Sequence, residues 1–237
     1  MLEMAALQPG EKLIDIACGT GLVTFPAARQ LGPAGVILAT DISDGMVNKG
    51  RELAKEKNFH NIWFERMDAE QLAVEDNEYD VALCALGLMY FPDPVNALKE
   101  MYRVLKPGGR AAAAVWGRRS HCGWAAVFDI VDRRVRSEVC PMFFNLGNHD
   151  ILQRSFEAAG FSNVSFVRLN TELFYDSDSE AYGAAFAGGP VALAYNKFSQ
   201  QAKHESHEEY LDSIKHYKRN QGYAIPGEFV VAIGFKK

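Results

Sequence analysis

The chain has 237 residues, of which 48% are hydrophobic and 23% charged, and its formal net charge is −5 at pH 7. A chain of this length and composition is expected to fold as one globular domain with a sizeable hydrophobic core. The negative charge and the lack of a long Lys or Arg run argue against a general nucleic-acid-binding protein, so we expect no nucleic-acid partner.

The first half of the chain alternates short apolar or β-branched runs with amphipathic stretches. This alternation predicts an α/β fold with a mostly parallel sheet and helices on both faces. The predicted strands of this half are residues 12–17, 36–40, 61–66, 81–85 and 110–115. Gly, Pro, Asp or Asn residues bound each of them, as expected where strands turn into loops.

Two helices of this half carry recognisable start signals. Ser43 is the predicted N-cap of the helix after the second strand, and Met46 and Val47 are predicted on its apolar side. The helix before the fifth strand is predicted to begin at Asp93-Pro94, a capping residue followed by Pro at the first helical position.

The second half begins with a polar and aromatic stretch at 116–148. A helix is predicted near 150–159, a strand near 164–169 and the final strand at 228–235. The connection between those last two strands is far longer than a hairpin loop and has helical periodicity of its own. We therefore predict a helical insertion there that forms a lid.

The strongest functional signal lies at the end of the first strand, where residues 15–21 read Asp-Ile-Ala-Cys-Gly-Thr-Gly. Gly19 and Gly21 allow a sharp turn and a close approach of the backbone to a ligand at a helix N-terminus. Asp15, and Thr24 in place of a third glycine, argue against the pyrophosphate of NAD. A carboxylate here instead favours a ligand end that carries an ammonium group.

Further acidic residues follow the next two strands. Asp41 ends the second strand, where a carboxylate can accept hydrogen bonds from both hydroxyls of a ribose. Asp68-Ala69-Glu70 lies just past the third strand, where a carboxylate and a backbone amide can bind adenine. The three strand ends converge on one crevice, which predicts a nucleoside site.

These segments, together with residues 105–110 (Leu-Lys-Pro-Gly-Gly-Arg), resemble the class I S-adenosylmethionine-dependent methyltransferases in order and spacing. Residues 87–94 (Gly-Leu-Met-Tyr-Phe-Pro-Asp-Pro) are similar to the branch with ubiquinone and menaquinone biosynthesis enzymes and many natural-product methyltransferases. The resemblance covers 12–117. It implies a Rossmann-like sheet of seven strands with the last strand antiparallel.

The resemblance also implies S-adenosylmethionine as the cofactor and S-adenosylhomocysteine as its product. We expect no metal site. The expected cofactor-binding residues are Asp15, Ala17, Cys18, Gly19, Gly21, Asp41, Ile42, Met46, Asp68, Ala69, Glu70, Ala85 and Leu86. In the family pattern the first strand end holds the methionine portion, the second holds the ribose and the third holds the adenine. The end of the fourth strand flanks the reactive methyl group.

Methyl transfer from a sulfonium depends on alignment and a dry site, and it does not always need a base. His121 and Tyr90 are the candidate catalytic residues, with His149 as a further proton acceptor. Tyr90, Trp116, His121 and Trp124 are candidate substrate-binding residues because they follow the fourth and fifth strands. The alternatives are that His121 lies in a solvated loop, that His149 caps the next helix, and that the aromatic side chains form core.

We expect one methyltransferase domain over 1–237, with a cofactor-binding half at 10–117 and substrate-binding or lid insertions at 118–147 and 176–227. Family members usually carry further helices before the first strand, which close over the cofactor. Either this chain is truncated at its start, or the cover comes from an insertion or from a neighbouring subunit. A homodimer is compatible with the sequence.

The predicted function is methyl transfer to a small, partly apolar acceptor. Residues 85–87 read Ala-Leu-Gly and lack the Asn/Asp-Pro-Pro-Tyr motif of enzymes that methylate nucleic-acid bases. The alternative is a catalytically silent partner or regulator that binds the cofactor. A nicotinamide dehydrogenase is a third reading, opposed by Asp15 and the missing third glycine.

The cysteines are Cys18, Cys84, Cys122 and Cys140, and they form no C-x-x-C pair. They predict reduced thiols that pack as small apolar groups, while Cys122 and Cys140 leave a thiophilic acceptor such as arsenite as a minor alternative. The first residues lack a signal-peptide pattern, and no apolar run is long enough for a membrane span. We therefore expect a cytoplasmic protein.

Overall fold

In the computed structural model, which describes residues 1–135, 143–220 and 222–237, the strands form one eight-stranded sheet. The strands are β1 (Lys12–Ile16), β2 (Val36–Asp41), β3 (Ile62–Arg66), β4 (Tyr79–Ala85), β5 (Leu105–Trp116), β6 (Ser162–Tyr175), β7 (Lys218–Arg219) and β8 (Gly222–Phe235). Their order is β3-β2-β1-β4-β5-β8-β6, and β7 pairs with β8 antiparallel. The predicted Rossmann-like fold is confirmed. The additional strand is β7, whose two residues are too few to produce a period in the sequence.

The helices are α1 (Leu2–Ala5), α2 (Thr24–Leu31), α3 (Asp44–Glu56), α4 (Pro94–Val104), α5 (Ala126–Asp132), α6 (Ile151–Ala158), α7 (Asp178–Phe186), α8 (Ala192–Tyr195) and α9 (Gln200–Ile214). The predicted caps are confirmed. The Ser43 hydroxyl accepts a hydrogen bond from the Met46 amide at 3.4 Å, and the Asp93 carboxylate accepts one from the Asn96 amide at 3.0 Å. Within the described residues, no helix is both long and apolar enough to cross a bilayer.

The centre of the parallel sheet is β1, which pairs with β2 on one side and β4 on the other. Leu13 and Ile14 of β1 are fully buried, as expected for a parallel strand covered on both faces. Asp15 pairs in register with Ala39 of β2 and Leu83 of β4. The carboxyl ends of these strands therefore lie side by side, which is where open α/β sheets bind their ligands.

The chain divides into two compact units, of which the first contains residues 1–115, 149–167 and 230–237. Its core includes Phe25 of α2 and Phe64 of β3, whose ring centroids lie 6.1 Å apart. On α3 the buried residues are Val47, Gly50 and Ala54, whereas the predicted apolar residue Met46 is 44% exposed. Their spacing of three and four residues selects a helix face that excludes Met46.

The close contact between α3 and β3 depends on Gly50, because an added Cβ would overlap the Phe64 ring. We expect Gly50→Ala to destabilise the protein by about 1–3 kcal/mol, the usual cost of overpacking. The matched control is Gly45→Ala on the same helix, where the nearest atom to an added Cβ is 3.6 Å away. That variant should be neutral or gain up to about 1 kcal/mol. Urea unfolding of both variants measures the difference, and equal effects at the two sites would contradict the packing argument.

The second unit contains residues 116–148 and 168–229. Its helix α9 packs on α5 and α7, and Glu209 of α9 forms ion pairs with both Arg133 and Arg134. Residues 118–147 and 176–227, the predicted insertions, fall in this unit. Their role as lid or substrate-binding elements stays a prediction.

Candidate functional site

The turn from β1 to α2 has an unusual backbone, with positive φ at Ala17 (54°), Gly19 (57°) and Gly21 (96°). Glycine adopts a positive φ readily, whereas a positive φ at Ala17 costs free energy. Backbone strain of this kind is found most often at functional sites. The Cys18 amide donates to the carbonyl of Thr40 at 2.9 Å and thereby fixes the turn to β2. An added Cβ on Gly19 would meet nothing within 4 Å, so this face of the turn is open to a ligand.

Asp41, at the end of β2, connects this turn to the next loop. One carboxylate oxygen accepts the Gly19 amide at 2.9 Å, and the other accepts the Ser43 amide at 2.9 Å. An ionised carboxylate can accept about four hydrogen bonds, so each oxygen keeps a lone pair for a ligand. The side chain is half-buried and is held rigidly by its two backbone partners.

Asp15 is 1% exposed, and Oδ2 accepts a hydrogen bond from the Thr24 hydroxyl at 2.5 Å. Its Oδ1 atom is buried and has no hydrogen-bond partner among the described residues. Burial raises the pKa of Asp15 to about 7, against the hydrogen bond from Thr24 and with a smaller contribution from the charge of Asp41. The site therefore contains a carboxyl group that would gain from a cationic partner.

Thr24 has a role beyond its place as the residue in the position of the third glycine. It is fully buried in the first turn of α2 and donates to Asp15. The sequence signal for this role was a polar residue on the buried face of a predicted helix.

The loop after β3 is organised by its own acidic residues. The Asp68 carboxylate accepts the Glu70 amide at 2.9 Å, which leaves its second oxygen for other partners. The Glu70 carboxylate accepts the Asp93 amide at 2.8 Å, and the Glu70 carbonyl accepts the Asn96 side-chain amide at 2.9 Å. Glu70 thus connects this loop to the start of α4.

The end of β4 packs directly against the turn after β1. Leu86 has a φ of 60°, and its amide donates to the Ala114 carbonyl at 2.8 Å. At Gly87 an added Cβ would come within 2.6 Å of the Ala17 Cβ and 2.8 Å of the Cys84 sulfur. Gly87 is therefore required for the approach of the two strand ends, a role that the sequence analysis did not assign.

Large apolar side chains are exposed in the segments that follow β1, β2 and β4, including the first turn of α3. Leu22 is 79% exposed, Ile42 63%, Met46 44% and Tyr90 52%. Clusters of exposed apolar side chains on a folded protein commonly mark ligand-binding surfaces. The first unit thus combines polar strand ends with apolar side chains in the segments that follow them.

The cysteines of the described residues are buried and free. Burial raises the pKa of the Cys84 thiol to about 12 and that of the Cys122 thiol to about 11, and it also raises the pKa of Cys18. These thiols are protonated at neutral pH and have little nucleophilic or metal-binding character. Cys140, the other residue of the arsenite alternative, lies outside the described residues.

In the second unit, His121 belongs to a short 3-10 turn, Arg119–His121, and its side chain is 42% exposed. Its Nδ1 atom lies 2.8 Å from a carboxylate oxygen of Glu228, a residue that is 3% exposed. Glu228 was absent from the sequence-based site, although an ionisable residue in an otherwise apolar strand was a signal. His149 belongs to the first unit, and the cap position of α6 is taken by Asp150 instead.

Trp116 and Trp124 lie in an aromatic cluster of the second unit. Their ring centroids are 4.9 Å apart, and Trp116 also stacks on Phe229 at 4.2 Å. Trp124 is 7% exposed and contacts Phe128 and Phe144. Its indole Nε1 has no hydrogen-bond partner among the described residues. Both tryptophans therefore contribute to packing, and a substrate-binding role for them stays a prediction.

Comparison with known proteins agrees with this geometry. A family model described as "Methyltransferase domain" matches residues 7–121. A demethylmenaquinone methyltransferase of Listeria monocytogenes is 33% identical over a 181-residue alignment that covers 70% of this chain and 76% of the relative. The YcgJ protein of Bacillus subtilis superposes with a TM-score of 0.65 at 19% identity, covering 100% of this chain and 96% of that chain.

A second solved structure is Haemonchus contortus phosphoethanolamine N-methyltransferase 2 in complex with S-adenosyl-L-methionine. It has a TM-score of 0.63 at 16% identity and covers 97% of this chain and 49% of that chain. At these identities the two structures show the fold, whereas the Listeria relative shows the family. The chain therefore belongs to the class I S-adenosylmethionine-dependent methyltransferases of the quinone and small-molecule branch, and it transfers a methyl group from this cofactor to a small-molecule acceptor.

Proposed function

We propose that the strand ends of the first unit hold S-adenosylmethionine, with Asp15 at the ammonium group of its methionine portion. The observation that carries this assignment is the buried Oδ1 of Asp15, which has no partner among the described residues. A buried carboxylate is costly unless it is paired, and an ammonium group is the partner that favours its ionised form. Gly19 leaves room for the methionine backbone beside it, and Gly21 allows the Phe25 ring to pack against the same turn.

Asp41 is the proposed ribose ligand. Its two oxygens are already oriented by the amides of Gly19 and Ser43, so the carboxylate needs no rearrangement to accept two ribose hydroxyls. Preorganisation of this kind lowers the entropic cost of binding. When bound, S-adenosylmethionine supplies an electrophilic methyl group on a sulfonium.

The adenine is proposed to lie against Ile42 and Met46, whose exposed side chains would gain from contact with an aromatic base. The free oxygen of Asp68 can accept the adenine amino group, and the Ala69 amide can donate to a ring nitrogen. The proposed role of Glu70 is to hold the loop that contains Asp68 and Ala69, because its carboxylate accepts a hydrogen bond from the Asp93 amide.

The remaining cofactor residues line the reacting end. Ala17, Cys18, Ala85 and Leu86 lie at the ends of β1 and β4, which Gly87 allows to approach closely. A small apolar wall here would exclude water from the sulfonium, as methyl transfer requires. Tyr90, on the turn that follows, offers an aromatic face for a cation.

For the acceptor we propose a hydroxylated ring in its reduced, phenolic form. The support is the sequence similarity to the Listeria relative, whose name states demethylmenaquinone as its substrate. In the second unit Trp116, His121 and Trp124 are the proposed acceptor-binding residues, and in the first unit Tyr90 is a separate candidate. The net charge of −5 supports an enzyme that does not bind nucleic acid. A cytoplasmic location and a monomeric or homodimeric state are part of the proposal.

Thermal unfolding with excess ligand tests the cofactor site. At one hundred times its dissociation constant, S-adenosylhomocysteine should add about 2.7 kcal/mol of stability. For a chain of this size that corresponds to a rise of about 5–10 °C in Tm. S-adenosylmethionine should give a similar shift, whereas NAD should give none. A shift with NAD alone, or none with either adenosyl sulfur ligand, would show that the proposed site is wrong.

A further inference from the structure

Glu228 is a buried carboxylate that the cofactor site does not use. It belongs to β8 and is 3% exposed. One oxygen accepts hydrogen bonds from the Arg118 amide at 2.8 Å and from the Arg168 guanidinium at 2.9 Å. The other oxygen lies 2.8 Å from Nδ1 of His121. Both oxygens are therefore engaged, and the exposed imidazole is attached to a fixed internal group.

The charge of Glu228 follows from these partners. Burial alone would raise its pKa, but the hydrogen bonds from the Arg118 amide and His121, with the charge of Arg168, lower it below the ordinary value. The carboxylate is thus ionised at neutral pH and can only accept hydrogen bonds. Nδ1 of His121 must then carry a proton, which leaves the lone pair of a neutral imidazole on Nε2.

The surroundings of Glu228 keep this arrangement in place. Its carbonyl accepts the Gly117 amide at 2.6 Å, and an added Cβ on Gly117 would overlap the carboxylate. The Cys122 thiol contacts the same carbonyl at 4.0 Å. Arg168, His121 and this thiol are the titratable groups with described contacts to Glu228.

We propose that Glu228 and His121 form a carboxylate–imidazole dyad, in which Glu228 is the positioning residue and Nε2 of His121 accepts a proton from a phenolic or enolic acceptor. The proposal rests on the proposed function and deepens it, since it names the two residues that would remove the hydroxyl proton of the acceptor.

In this reaction a proton passes from the acceptor to His121, and the methyl group passes from sulfur to the acceptor. The hydroxyl proton moves to Nε2, and the electron pair of the broken O–H bond makes the oxygen, or a ring carbon conjugated to it, nucleophilic. That atom forms the new bond to the methyl carbon as the carbon–sulfur bond breaks. The electron pair of the broken bond stays on sulfur, which yields S-adenosylhomocysteine. A ring carbon that receives the methyl group afterwards loses its own proton to solvent.

The imidazole tautomer is tested without turnover. In the protein labelled with ¹⁵N histidine, we expect neutral His121 to show a protonated Nδ1 and an unprotonated Nε2. In Glu228→Gln the amide can present either an oxygen or an NH₂ group to the ring, so the Nε2-protonated form should rise at least severalfold. Protonation of Nε2 in the neutral wild-type ring would overturn the dyad.

Turnover is tested with S-adenosylmethionine and 1,4-dihydroxynaphthalene as the phenolic probe, by following S-adenosylhomocysteine. His121→Ala should lower kcat about 100-fold, and added imidazole should raise the kcat of this variant at least tenfold. A purely structural histidine would not be rescued in this way. The matched control is His204→Ala, which removes an exposed histidine that pairs with Glu208 at 3.4 Å in the same unit.

The two proposals fail in different ways. If His121→Ala keeps kcat within about threefold of wild type while its Tm shift with S-adenosylhomocysteine persists, the dyad is overturned and the cofactor site stands. If the wild type shows no such Tm shift, the cofactor site is overturned, and the ¹⁵N tautomer result still decides the dyad.

Discussion

Replacing Asp41 by Ala is expected to weaken binding of S-adenosylhomocysteine by about 100- to 10,000-fold. In the proposed complex the carboxylate accepts two ribose hydroxyls, and hydrogen bonds to a charged group contribute about 1.5–3 kcal/mol each. Every 1.4 kcal/mol corresponds to a factor of ten in affinity. The change also removes the acceptor of the Gly19 and Ser43 amides, so the turn after β1 loses its connection to β2.

Isothermal titration calorimetry with S-adenosylhomocysteine measures this effect. Asp44→Ala is the matched control, because Asp44 is an exposed carboxylate three residues away that pairs only loosely with Arg66, at 3.6 Å. Asp41→Asn keeps one acceptor oxygen and should fall between the two variants. If Asp41→Ala and Asp44→Ala bind equally well, Asp41 is not the ribose ligand.

The position of Asp41 could be predicted because it depends on local sequence and one topological rule. Each strand from β1 to β4 is a short run with apolar residues that ends at a Gly or Asp or is followed by one within three residues. Parallel strands present their carboxyl ends at one edge of the sheet. A carboxylate at such an end is therefore placed once the strand is recognised. The same reasoning placed Asp15 and Asp68.

Residues that interact across long stretches of sequence could not be predicted in this way. Glu228 and His121 are 107 positions apart, and Glu228 and Arg168 are 60 apart, so no periodicity connects them. Their proximity depends on how β8 and β6 are placed in the sheet. Glu70 shows a related limit: its position after β3 indicated adenine, but its carboxylate accepts an amide at the start of α4.

Replacing Asp15 by Asn is expected to stabilise the ligand-free protein, relative to wild type, increasingly as the pH rises. The folded-state pKa of about 7 lies above the ordinary value of 3.8, so the folded protein retains a proton that the unfolded chain has lost. The wild type therefore loses free energy of unfolding as the pH rises from about 4 to 7. Between pH 5 and 8 this one group accounts for about 2–3 kcal/mol, which the Asn variant does not lose.

Urea unfolding of the ligand-free protein at pH 5 and pH 8 measures this difference, with Asp44→Asn as a control in which the pH dependence should match wild type. The same Asp15→Asn variant should bind S-adenosylhomocysteine at least about tenfold more weakly at pH 8, because a neutral amide cannot pair with the ligand's ammonium group. Opposite signs for stability and affinity are the expected result of a carboxylate kept buried for a cation. If Asp15→Asn lowers both the stability and the affinity, Asp15 is needed for folding. If the variant binds S-adenosylhomocysteine as tightly as wild type, Asp15 does not belong to the cofactor site.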